Sequence, residues 1–314
     1  MRGVTIKDQE LVVEEHPDPV PGSSEVLVRV HAAGLNGADM HQRRGHYPAP
    51  PGSPQDIPGL ELAGEVAALG PGAMRFNEGD RVMAVVGGGA QAELAVVHER
   101  VLMPVPDGLS WPEAGGVPEV FTTAYDAVFT QAGLKPGEHL LVHGGAGGVG
   151  TAAIQLARAT GARATATVRN PDLRDRVGQL GATVIAPEGF GEHGPFDVIL
   201  ELVGAPNLQD NVNALAIGGR ITVIGIGAGA KGDLHLGALM AKRGRINGST
   251  LRTRPLEEKA TCARELERSV LPLFESGAIT VLVAATYPME QAAEAYERFE
   301  AGAKFGKVVL ETGA

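Results

Sequence analysis

The first third of the chain consists of short stretches in which apolar and polar side chains alternate. Glu25–Val30 alternates in this way, and Leu62–Leu69 and Arg81–Val86 look similar. A period of two residues predicts strands with one buried face. Turn-forming residues separate these stretches, at Pro17–Ser24, Pro48–Pro58, Gly70–Gly72 and Gly87–Gly89. The pattern therefore predicts a small β-rich domain that is closed or nearly closed.

Beyond Trp111 the pattern changes, and Pro118–Gln131 has the spacing of a helix. Apolar stretches of strand length then alternate with helical segments, at His139–His143, Thr151–Thr160, Ala164–Val168, Leu173–Leu180, Thr183–Ile185, Phe196–Val203, Leu208–Ala216 and Arg220–Ile226. Strands that are buried on both faces have near-continuous apolar sequences. This part of the chain is therefore predicted to be an α/β domain with a doubly wound parallel sheet.

One connection in this domain is short. Only Ala186–Pro195 separates two predicted strands, and these ten residues are rich in glycine and proline. Parallel crossovers usually need a dozen residues or more and contain a helix. We therefore expect a bare loop to make this crossing. The tail is predicted to hold helices at Leu256–Phe274 and Met289–Glu300 and a last strand at Lys307–Leu310.

Composition narrows the class of protein. The length of 314 residues is typical of two domains, and the net charge of −10 argues against a general nucleic-acid binder. Cys262 is the only cysteine, which excludes an intrachain disulfide and fits a reducing compartment. The first ten residues do not resemble a signal peptide, and no apolar run approaches the roughly 20 residues that span a bilayer. These features predict a cytoplasmic protein.

A glycine-rich segment follows the first strand of the predicted α/β domain. Residues 140–150 read LLVHGGAGGVG, and Gly145, Gly147 and Gly150 fit the dinucleotide fingerprint G-x-G-x-x-G. The first glycine makes the turn, the second lets the backbone approach a pyrophosphate, and the third lets helix and strand pack closely. The exposed amides at the helix start, which include those of Gly148 and Val149, would then bind the anion.

The position about 20 residues further on bears on the choice of dinucleotide. A carboxylate there would bind the ribose hydroxyls of NAD, but the sequence has Arg169 and Asn170. Arg169 could instead pair with the 2′-phosphate of NADPH, or it could simply be solvated. Asn170 is predicted to cap a helix that has Pro171 at its first position.

Several segments resemble one known family, among them GLNGADMHQRRGHYPAPPG (34–52), PGLELAGEVAALGPG (58–72), LMPVPDGLSWPEAGGVPEVFTTAYDAVF (102–129) and HGGAGGVGTAAIQLARATGA (143–162). These resemble the zinc-independent, zeta-crystallin-like NADPH:quinone oxidoreductases of the medium-chain dehydrogenase/reductase superfamily. The likeness continues through LRTRP (251–255) and FGKVVLE (305–311). It implies a GroES-like β-barrel domain formed by residues 1–118 and 256–314 and a Rossmann domain formed by residues 119–255, with a cofactor cleft at their junction. It also implies homodimers or homotetramers built partly through the edge of the Rossmann sheet.

Zinc enzymes of this superfamily bind their catalytic metal through cysteine and histidine. By resemblance, Asn36 stands at the place of the first cysteine and Leu60 at that of the histidine, while Glu61 remains. The histidines show no paired metal spacing. Without a Lewis acid, hydride transfer needs an acceptor that stabilises negative charge by conjugation, as quinones and enones do.

The resemblance also assigns roles to individual residues. It implies that Thr123 orients the nicotinamide carboxamide, that Gly225–Gly227 lie by the ring, and that Gly306 and Lys307 lie beside the cofactor. Asn36 and Tyr47 correspond to residues lining the acceptor pocket, where an amide and a phenol can donate hydrogen bonds to an oxygen gaining charge. The alternatives are an Asn36 that stabilises a turn and a Tyr47 that only packs. Glu61 is expected to serve structure rather than proton transfer.

Two departures concern the adenosine end. Relatives contact the 2′-phosphate with a lysine and a tyrosine, whereas Asp172 and Leu173, with Arg174 nearby, and Glu188 stand at the matching places. Arg169 is therefore the main local support for NADPH over NADH. The predicted function is NADPH-dependent reduction of quinones or similar conjugated carbonyl compounds. The alternatives are an NADPH-dependent enal or enone reductase and a dinucleotide-binding sensor or structural protein without turnover.

Overall fold

The computed structural model describes residues 1–313, which form two compact units. The first unit consists of Met1–Thr122 together with the chain from Leu251 onward, and the second consists of Thr123–Thr250. Residues 119–122 and 251–255, which the sequence-based partition assigned to the α/β domain, lie here in the first unit. Hydrogen bonds show why, since the side chain of Arg252 donates to the carbonyl oxygens of Tyr47 and Gly87, and the N–H of Glu119 donates to the carboxylate of Glu61.

The strands, in chain order, are β1 (Arg2–Lys7), β2 (Glu10–Glu15), β3 (Glu25–Gly34), β4 (Glu61–Leu69), β5 (Arg81–Val85), β6 (Leu94–His98), β7 (Met103–Pro104), β8 (His139–His143), β9 (Arg163–Thr167), β10 (Ala182–Ile185), β11 (Phe196–Glu201), β12 (Leu215–Val223), β13 (Arg245–Gly248), β14 (Val283–Pro288) and β15 (Lys307–Glu311).

The α-helices are α1 (Gly37–Arg43), α2 (Trp111–Gly115), α3 (Pro118–Tyr125), α4 (Gly148–Ala159), α5 (Arg174–Gly178), α6 (Leu208–Ala214), α7 (Leu236–Lys242), α8 (Leu256–Ser269), α9 (Leu271–Glu275) and α10 (Ala292–Glu300). No helix within residues 1–313 is long and apolar enough to cross a membrane.

The first unit is built on a mainly antiparallel sheet with the strand order β14-β15-β3-β4-β5-β7, and β6 also pairs with β3. The alternation predicted for β3 is observed, because Val26, Val28 and Val30 are fully buried while Arg29 is exposed. These valines pack in one apolar cluster with residues of β4 and β5. β15 pairs with β3, so the end of the chain completes this sheet.

The second unit contains six parallel strands in the order β10-β9-β8-β11-β12-β13. The order reverses between β8 and β11, as in a doubly wound sheet, and the predicted α/β architecture is therefore confirmed. Its core combines Leu141 of β8, Ile199 of β11, Ile221 of β12 and Val212 of α6. In such sheets ligands bind outside the carboxyl ends of the strands at the reversal.

Two local predictions were incomplete. The predicted helix at Pro118–Gln131 begins as α3 but continues as a π-helix over Asp126–Gln131. The link Ala186–Pro195 is not wholly bare, because Phe190–His193 form one 3₁₀ turn. Phe190 anchors that turn, since its ring is buried in the core of the second unit and packs edge-on against His143.

Candidate active site

The glycine-rich turn lies in the second unit between β8 and α4. The chain leaves β8 through Gly144, which has a left-handed φ of 71°, and α4 begins at Gly148. The Gly145 N–H donates to the Thr167 carbonyl oxygen at 3.0 Å, which ties the turn to the end of β9. The strand–turn–helix arrangement expected for the fingerprint is therefore present.

The three fingerprint glycines differ in what surrounds them. A Cβ on Gly145 would lie 2.7 Å from the Ala166 Cβ, and one on Gly150 would lie 2.5 Å from the Gly144 carbonyl oxygen. A Cβ on Gly147 would meet nothing nearer than 3.6 Å. Protein packing thus requires Gly145 and Gly150, whereas Gly147 leaves open space in front of the turn.

Donor groups border that space. The first turn of a helix has N–H groups without an intrahelical partner, and in α4 these include Gly148 and Val149. The positive end of the helix dipole also favours an anion there. An open space next to unpaired donors fits the pyrophosphate of a dinucleotide.

Two arginines follow β9, where the adenosine end would bind. Arg169 is exposed, and Arg174 is half-buried with its Nε donating to the Val168 carbonyl oxygen at 3.0 Å. Asn170 accepts from the Asp172 N–H, which confirms the predicted cap. Asp172 and Glu188 are both exposed. The end of β9 therefore presents two guanidinium groups and an aspartate.

Gly225 and Gly227 follow β12. A Cβ on Gly225 would lie 2.2 Å from the Leu202 carbonyl oxygen, whereas one on Gly227 would meet nothing within 4 Å. A cavity of about 340 Å³ borders this segment, lined by Ile226, Val223 and Leu208 among others. Such a cavity has room for a planar ring. Thr123 is buried in α3.

A buried carboxylate at the end of β11 was not predicted. Glu201 accepts hydrogen bonds from the backbone N–H groups of Val203 (2.6 Å) and Gly204 (2.8 Å) and from the Asn211 amide (2.7 Å). The Asn211 oxygen in turn lies 2.7 Å from Nε2 of His143. Burial lowers the pKa of His143. This network ties the ends of β8 and β11 to α6.

The first unit holds a second buried cluster, formed by Asn36, Glu61 and Lys307. The Lys307 ammonium lies 2.5 Å from Oε1 of Glu61 and donates to Oδ1 of Asn36 and to the Leu35 carbonyl oxygen, both at 2.7 Å. Its three N–H groups therefore have three acceptors. Lys307 and Glu61 are 4% and 0% exposed, so water does not screen the pair.

Lys307 also fixes the orientation of Asn36. Only the amide oxygen can face an ammonium group, so Nδ2 points the other way and donates to Oε1 of Glu61 (2.9 Å) and to the Gly34 carbonyl oxygen (3.2 Å). Both Nδ2 hydrogens are thus used inside the cluster. Asn36 could donate to an acceptor molecule only if one of these hydrogen bonds opened.

Asp39 extends this cluster to the start of α1. It accepts from the N–H groups of Asn36 (2.8 Å) and Gly59 (3.1 Å). Burial raises the pKa of Asp39 to about 7, although both backbone N–H groups and Lys307 favour the carboxylate. The place where α1 leaves β3 is therefore fixed by polar contacts rather than by apolar packing alone.

The cluster does not fit a catalytic zinc ion. Leu60 is buried and aliphatic, the Asn36 oxygen is bound to an ammonium group, and Glu61 already has a cation at 2.5 Å. Among residues 1–313, no three His, Cys, Asp or Glu residues are grouped so that they could hold a metal. The two residues that the resemblance places at zinc-ligand positions are thus an aliphatic side chain and an amide already bound to an ammonium group.

Tyr47 lies in the loop after α1 and is half-buried. Its ring packs on the guanidinium of Arg252, 5.0 Å from the ring centroid, and its carbonyl oxygen accepts from Nη1 of Arg252 at 2.9 Å. Burial raises the pKa of Tyr47 more than the Arg252 charge lowers it. The hydroxyl makes no hydrogen bond within the described part of the chain, so a protonated phenol is left available.

The structure brings some of the predicted residues together. Asn36 and Lys307 are in direct contact, with Tyr47 in the same unit, and the remaining predicted cofactor residues except Gly306 lie in the second unit. Gly306 has a φ of 96°, and a Cβ there would lie 2.0 Å from the Leu282 carbonyl oxygen, so packing alone explains this glycine.

Two residues of the site, Arg252 and Glu201, were not predicted from the sequence. The only signal for Arg252 was the segment LRTRP, which gave a resemblance but no role.

Comparison with known proteins shows the family to which the chain belongs. The family model of the alcohol dehydrogenase GroES-like domain matches residues 22–107, and that of zinc-binding dehydrogenases matches residues 180–310. The quinone oxidoreductase of Homo sapiens is 32% identical over 308 residues, which cover 93% of this chain and 90% of the human protein. The chain belongs to the quinone oxidoreductase family of the medium-chain dehydrogenase/reductase superfamily.

Other members of the superfamily align over nearly the whole chain. The acryloyl-coenzyme A reductase of Metallosphaera sedula is 31% identical over 345 residues, covering 99% of this chain and all of that enzyme. The crystal structure of an NAD-dependent alcohol dehydrogenase has a TM-score of 0.87 and 31% identity, covering 99% of this chain and 100% of that one. A mycobacterial protein complexed with NADPH has a TM-score of 0.87 and 28% identity, covering 99% of both chains. The first unit is accordingly a GroES-like domain and the second a Rossmann domain.

Proposed function

We propose that this chain catalyses the reduction of quinones, or similar conjugated carbonyl compounds, by NADPH without a catalytic metal. The observation that carries this proposal is the Lys307–Glu61 ion pair. Because Lys307 binds both Glu61 and Asn36, and Leu60 is aliphatic, this cluster has no group free to hold a metal that would polarise a substrate oxygen, and the acceptor must stabilise the negative charge itself. Quinones do so by conjugation, and simple ketones do not.

The Rossmann domain supports a nicotinamide dinucleotide as hydride donor. Gly147 leaves the space, and the start of α4 offers the N–H groups, that a pyrophosphate needs. Likeness to a protein complexed with NADPH agrees with this. Preference for NADPH over NADH rests on Arg169, with Arg174 beside it, and on the lack of a carboxylate at positions 169 and 170, although Asp172 follows nearby.

Within the GroES-like domain, Tyr47 is the residue best suited to meet the acceptor. Its hydroxyl is free to donate, and its raised pKa keeps it protonated at neutral pH. A donated hydrogen bond stabilises an oxygen that gains charge as hydride arrives. Asn36 belongs to the same proposal as the residue that joins Lys307 and Glu61 to the start of α1.

The test is a panel of acceptors followed by loss of NADPH absorbance. Benzoquinones and naphthoquinones should be reduced, whereas a simple ketone of similar size should not. Chelators should leave the rate unchanged, and elemental analysis should find no stoichiometric zinc. Ketone reduction that a chelator abolishes would contradict the proposal.

Reduction of a conjugated carbon–carbon double bond is a second candidate. Likeness to the acryloyl-coenzyme A reductase along the entire chain favours it, and an acceptor charge stabilised by conjugation suits both reactions. An alkenal in the same panel separates the two. A higher kcat/KM for the alkenal than for every quinone would favour the second candidate.

We further propose a homodimer formed through the Rossmann sheet edge. β13 is the edge strand, and Leu236 and Met240 of the nearby α7 are 65% and 76% exposed. Exposed apolar residues beside an open sheet edge are typical of an interface. Sedimentation should give a dimer for the parent, and Met240→Glu should shift it towards the monomer.

A further inference from the structure

We propose that Arg252 is the positioning residue for Tyr47: its buried guanidinium fixes the loop that carries the phenol and places a positive charge against the ring. The inference rests on the proposed role of Tyr47 as hydrogen-bond donor to the acceptor. It assigns to Arg252 an electrostatic effect on the acceptor that is exerted only through Tyr47.

The hydrogen bonds of Arg252 converge on the Tyr47 loop. Nε donates to the Gly87 carbonyl oxygen at 2.8 Å, Nη1 to the Tyr47 carbonyl oxygen at 2.9 Å, and Nη2 to Oε1 of Gln42 at 2.5 Å. Gln42 lies near the end of α1, from which the loop departs. Arg252 thus joins both sides of this loop to the turn that follows β5.

Burial restricts the movement of the Arg252 side chain and so stabilises these hydrogen bonds. Arg252 is 2% exposed and is among the largest fully buried side chains of the protein. A planar guanidinium with three well-separated acceptors has little freedom to rotate. The Tyr47 ring packs on its face, 5.0 Å from centroid to Cζ, so the same group restrains both the backbone and the ring of Tyr47.

The charge of Arg252 is not cancelled by its hydrogen bonds, because all three acceptors are neutral oxygens. Burial lowers the pKa of Arg252, and the nearby Asp39 and Glu119 counter this. Tyr47 is faced by Arg252, which favours the phenolate, and by Glu119, which opposes it. A positive charge that favours the phenolate also favours negative charge on an oxygen hydrogen-bonded to the phenol.

A residue that only holds the loop in place would not change the acidity of Tyr47, and this difference gives the test. The chain has four tyrosines, so the Tyr47 titration is obtained as the difference between each protein and its Tyr47→Phe counterpart. Arg252→Gln should raise the Tyr47 pKa, because it removes the positive charge that favours the phenolate. Arg252→Lys keeps the charge and should shift it much less.

Turnover gives a second, independent readout. Arg252→Gln should lower kcat for quinones by about three- to tenfold, and by no more than Tyr47→Phe does, because Arg252 acts only through Tyr47. The loss should grow along a series of quinones whose reduced oxygen is increasingly basic. The dissociation constant of NADPH should not change, because Arg252 lies outside the glycine-rich turn.

Each outcome decides the matter. If Arg252→Gln does not fold, Arg252→Lys is compared with the parent instead. Hydrogen exchange then measures whether the Tyr47 loop is loosened in Arg252→Lys. A loosened loop together with kcat values equal to those of the parent along the quinone series would overturn the proposal. An unchanged Tyr47 pKa in folded Arg252→Gln would overturn it as well. A parent that reduces no quinone would refute the proposed function, while the Tyr47 titration would still report whether Arg252 acts on the phenol.

Discussion

Each of the two domains buries a carboxylate at one end of a central strand, but different groups stabilise that carboxylate in each domain. In the GroES-like domain, Glu61 is bound to the ammonium of Lys307 and the amide of Asn36. In the Rossmann domain, the donors to Glu201 among residues 1–313 are neutral, namely two backbone N–H groups and the amides of Asn207 and Asn211, and burial lowers the pKa of the nearby His143. The first site adds an opposite charge to an amide and a backbone N–H, that of Glu119, whereas the second uses peptide and amide dipoles alone.

The two sites therefore differ in whether side chains or main-chain groups supply the contacts. The GroES-like site depends on the side chains of Glu61 in β4, Lys307 in β15 and Asn36 at the start of α1, and removing Glu61 or Lys307 leaves the charge of the other unmatched. The Rossmann site offers a ligand mainly backbone N–H groups and space, so the substitutions that matter there are those that add atoms. Five substitutions test this contrast.

Lys307→Met should have the largest effect. It leaves the fully buried Glu61 carboxylate without a cation, and breaking a buried pair from one side costs about 3–5 kcal/mol of unfolding free energy. Denaturant unfolding measures the loss. The double variant with Glu61→Leu is the control and should recover most of it. A Lys307→Met protein within about 1 kcal/mol of the parent would show that the pair is not important for stability.

A matched pair of glycine variants tests the Rossmann site. Gly150→Ala places a Cβ 2.5 Å from the Gly144 carbonyl oxygen and should cost about 1–3 kcal/mol of stability. Gly147→Ala has room and a φ of −76°, so stability should change by less than about 0.5 kcal/mol. Its methyl group would nevertheless occupy the proposed pyrophosphate space and weaken NADPH binding by about tenfold, or 1.4 kcal/mol. Unaltered NADPH binding in Gly147→Ala would contradict the proposal that the pyrophosphate binds in the space next to Gly147.

Arg169→Ala tests the choice between the two dinucleotides. Loss of a charged contact to the 2′-phosphate is worth roughly 1.5–3 kcal/mol, so the KM for NADPH should rise by about ten- to a hundredfold while that for NADH changes little. Arg163→Ala, at the opposite end of β9, is the matched control. Equal affinity of the parent for NADPH and NADH would remove the basis of this prediction.

The smallest expected effect is that of Tyr47→Phe, which removes one hydroxyl and keeps the ring. Because a quinone stabilises its own charge, we expect kcat to fall by about three- to thirtyfold, below the 10²–10³ seen for other oxyanion donors. NADPH affinity should be unchanged. Tyr287→Phe, a partly buried tyrosine on β14, serves as the control. If Tyr47→Phe reduced quinones with the kcat of the parent, the role of Tyr47 would be limited to packing.

The sequence predicted those features that are encoded locally. The alternation in β3, the apolar strands of the parallel sheet and the glycine turn depend on residues that are neighbours in the chain, so periodicity and motif spacing reveal them. The 3₁₀ turn at Phe190–His193 escaped notice because its cause, burial of Phe190 against His143, links distant segments.

Long-range polar contacts could not be predicted in the same way. Lys307 and Glu61 are far apart in sequence, as are Arg252 and Tyr47, and no local pattern distinguishes them from solvated charges. The resemblance supplied the residue types but not their partners. It predicted Asn36 as a donor to the acceptor, whereas in the structure both of its amide hydrogens are used within the cluster.

The discontinuous GroES-like domain also bears on how the chain can fold during synthesis. The Rossmann domain is one uninterrupted stretch, Thr123–Thr250, and can form as soon as it has left the ribosome. The GroES-like sheet lacks β14 and β15 until residues 283–311 have been synthesised, and Glu61 has no cation until Lys307 has been added. The strands of residues 1–122 therefore remain without these partners while the Rossmann domain is made. A ribosome stalled shortly before Lys307 should carry a protease-resistant Rossmann domain and a GroES-like domain that is still open to cleavage.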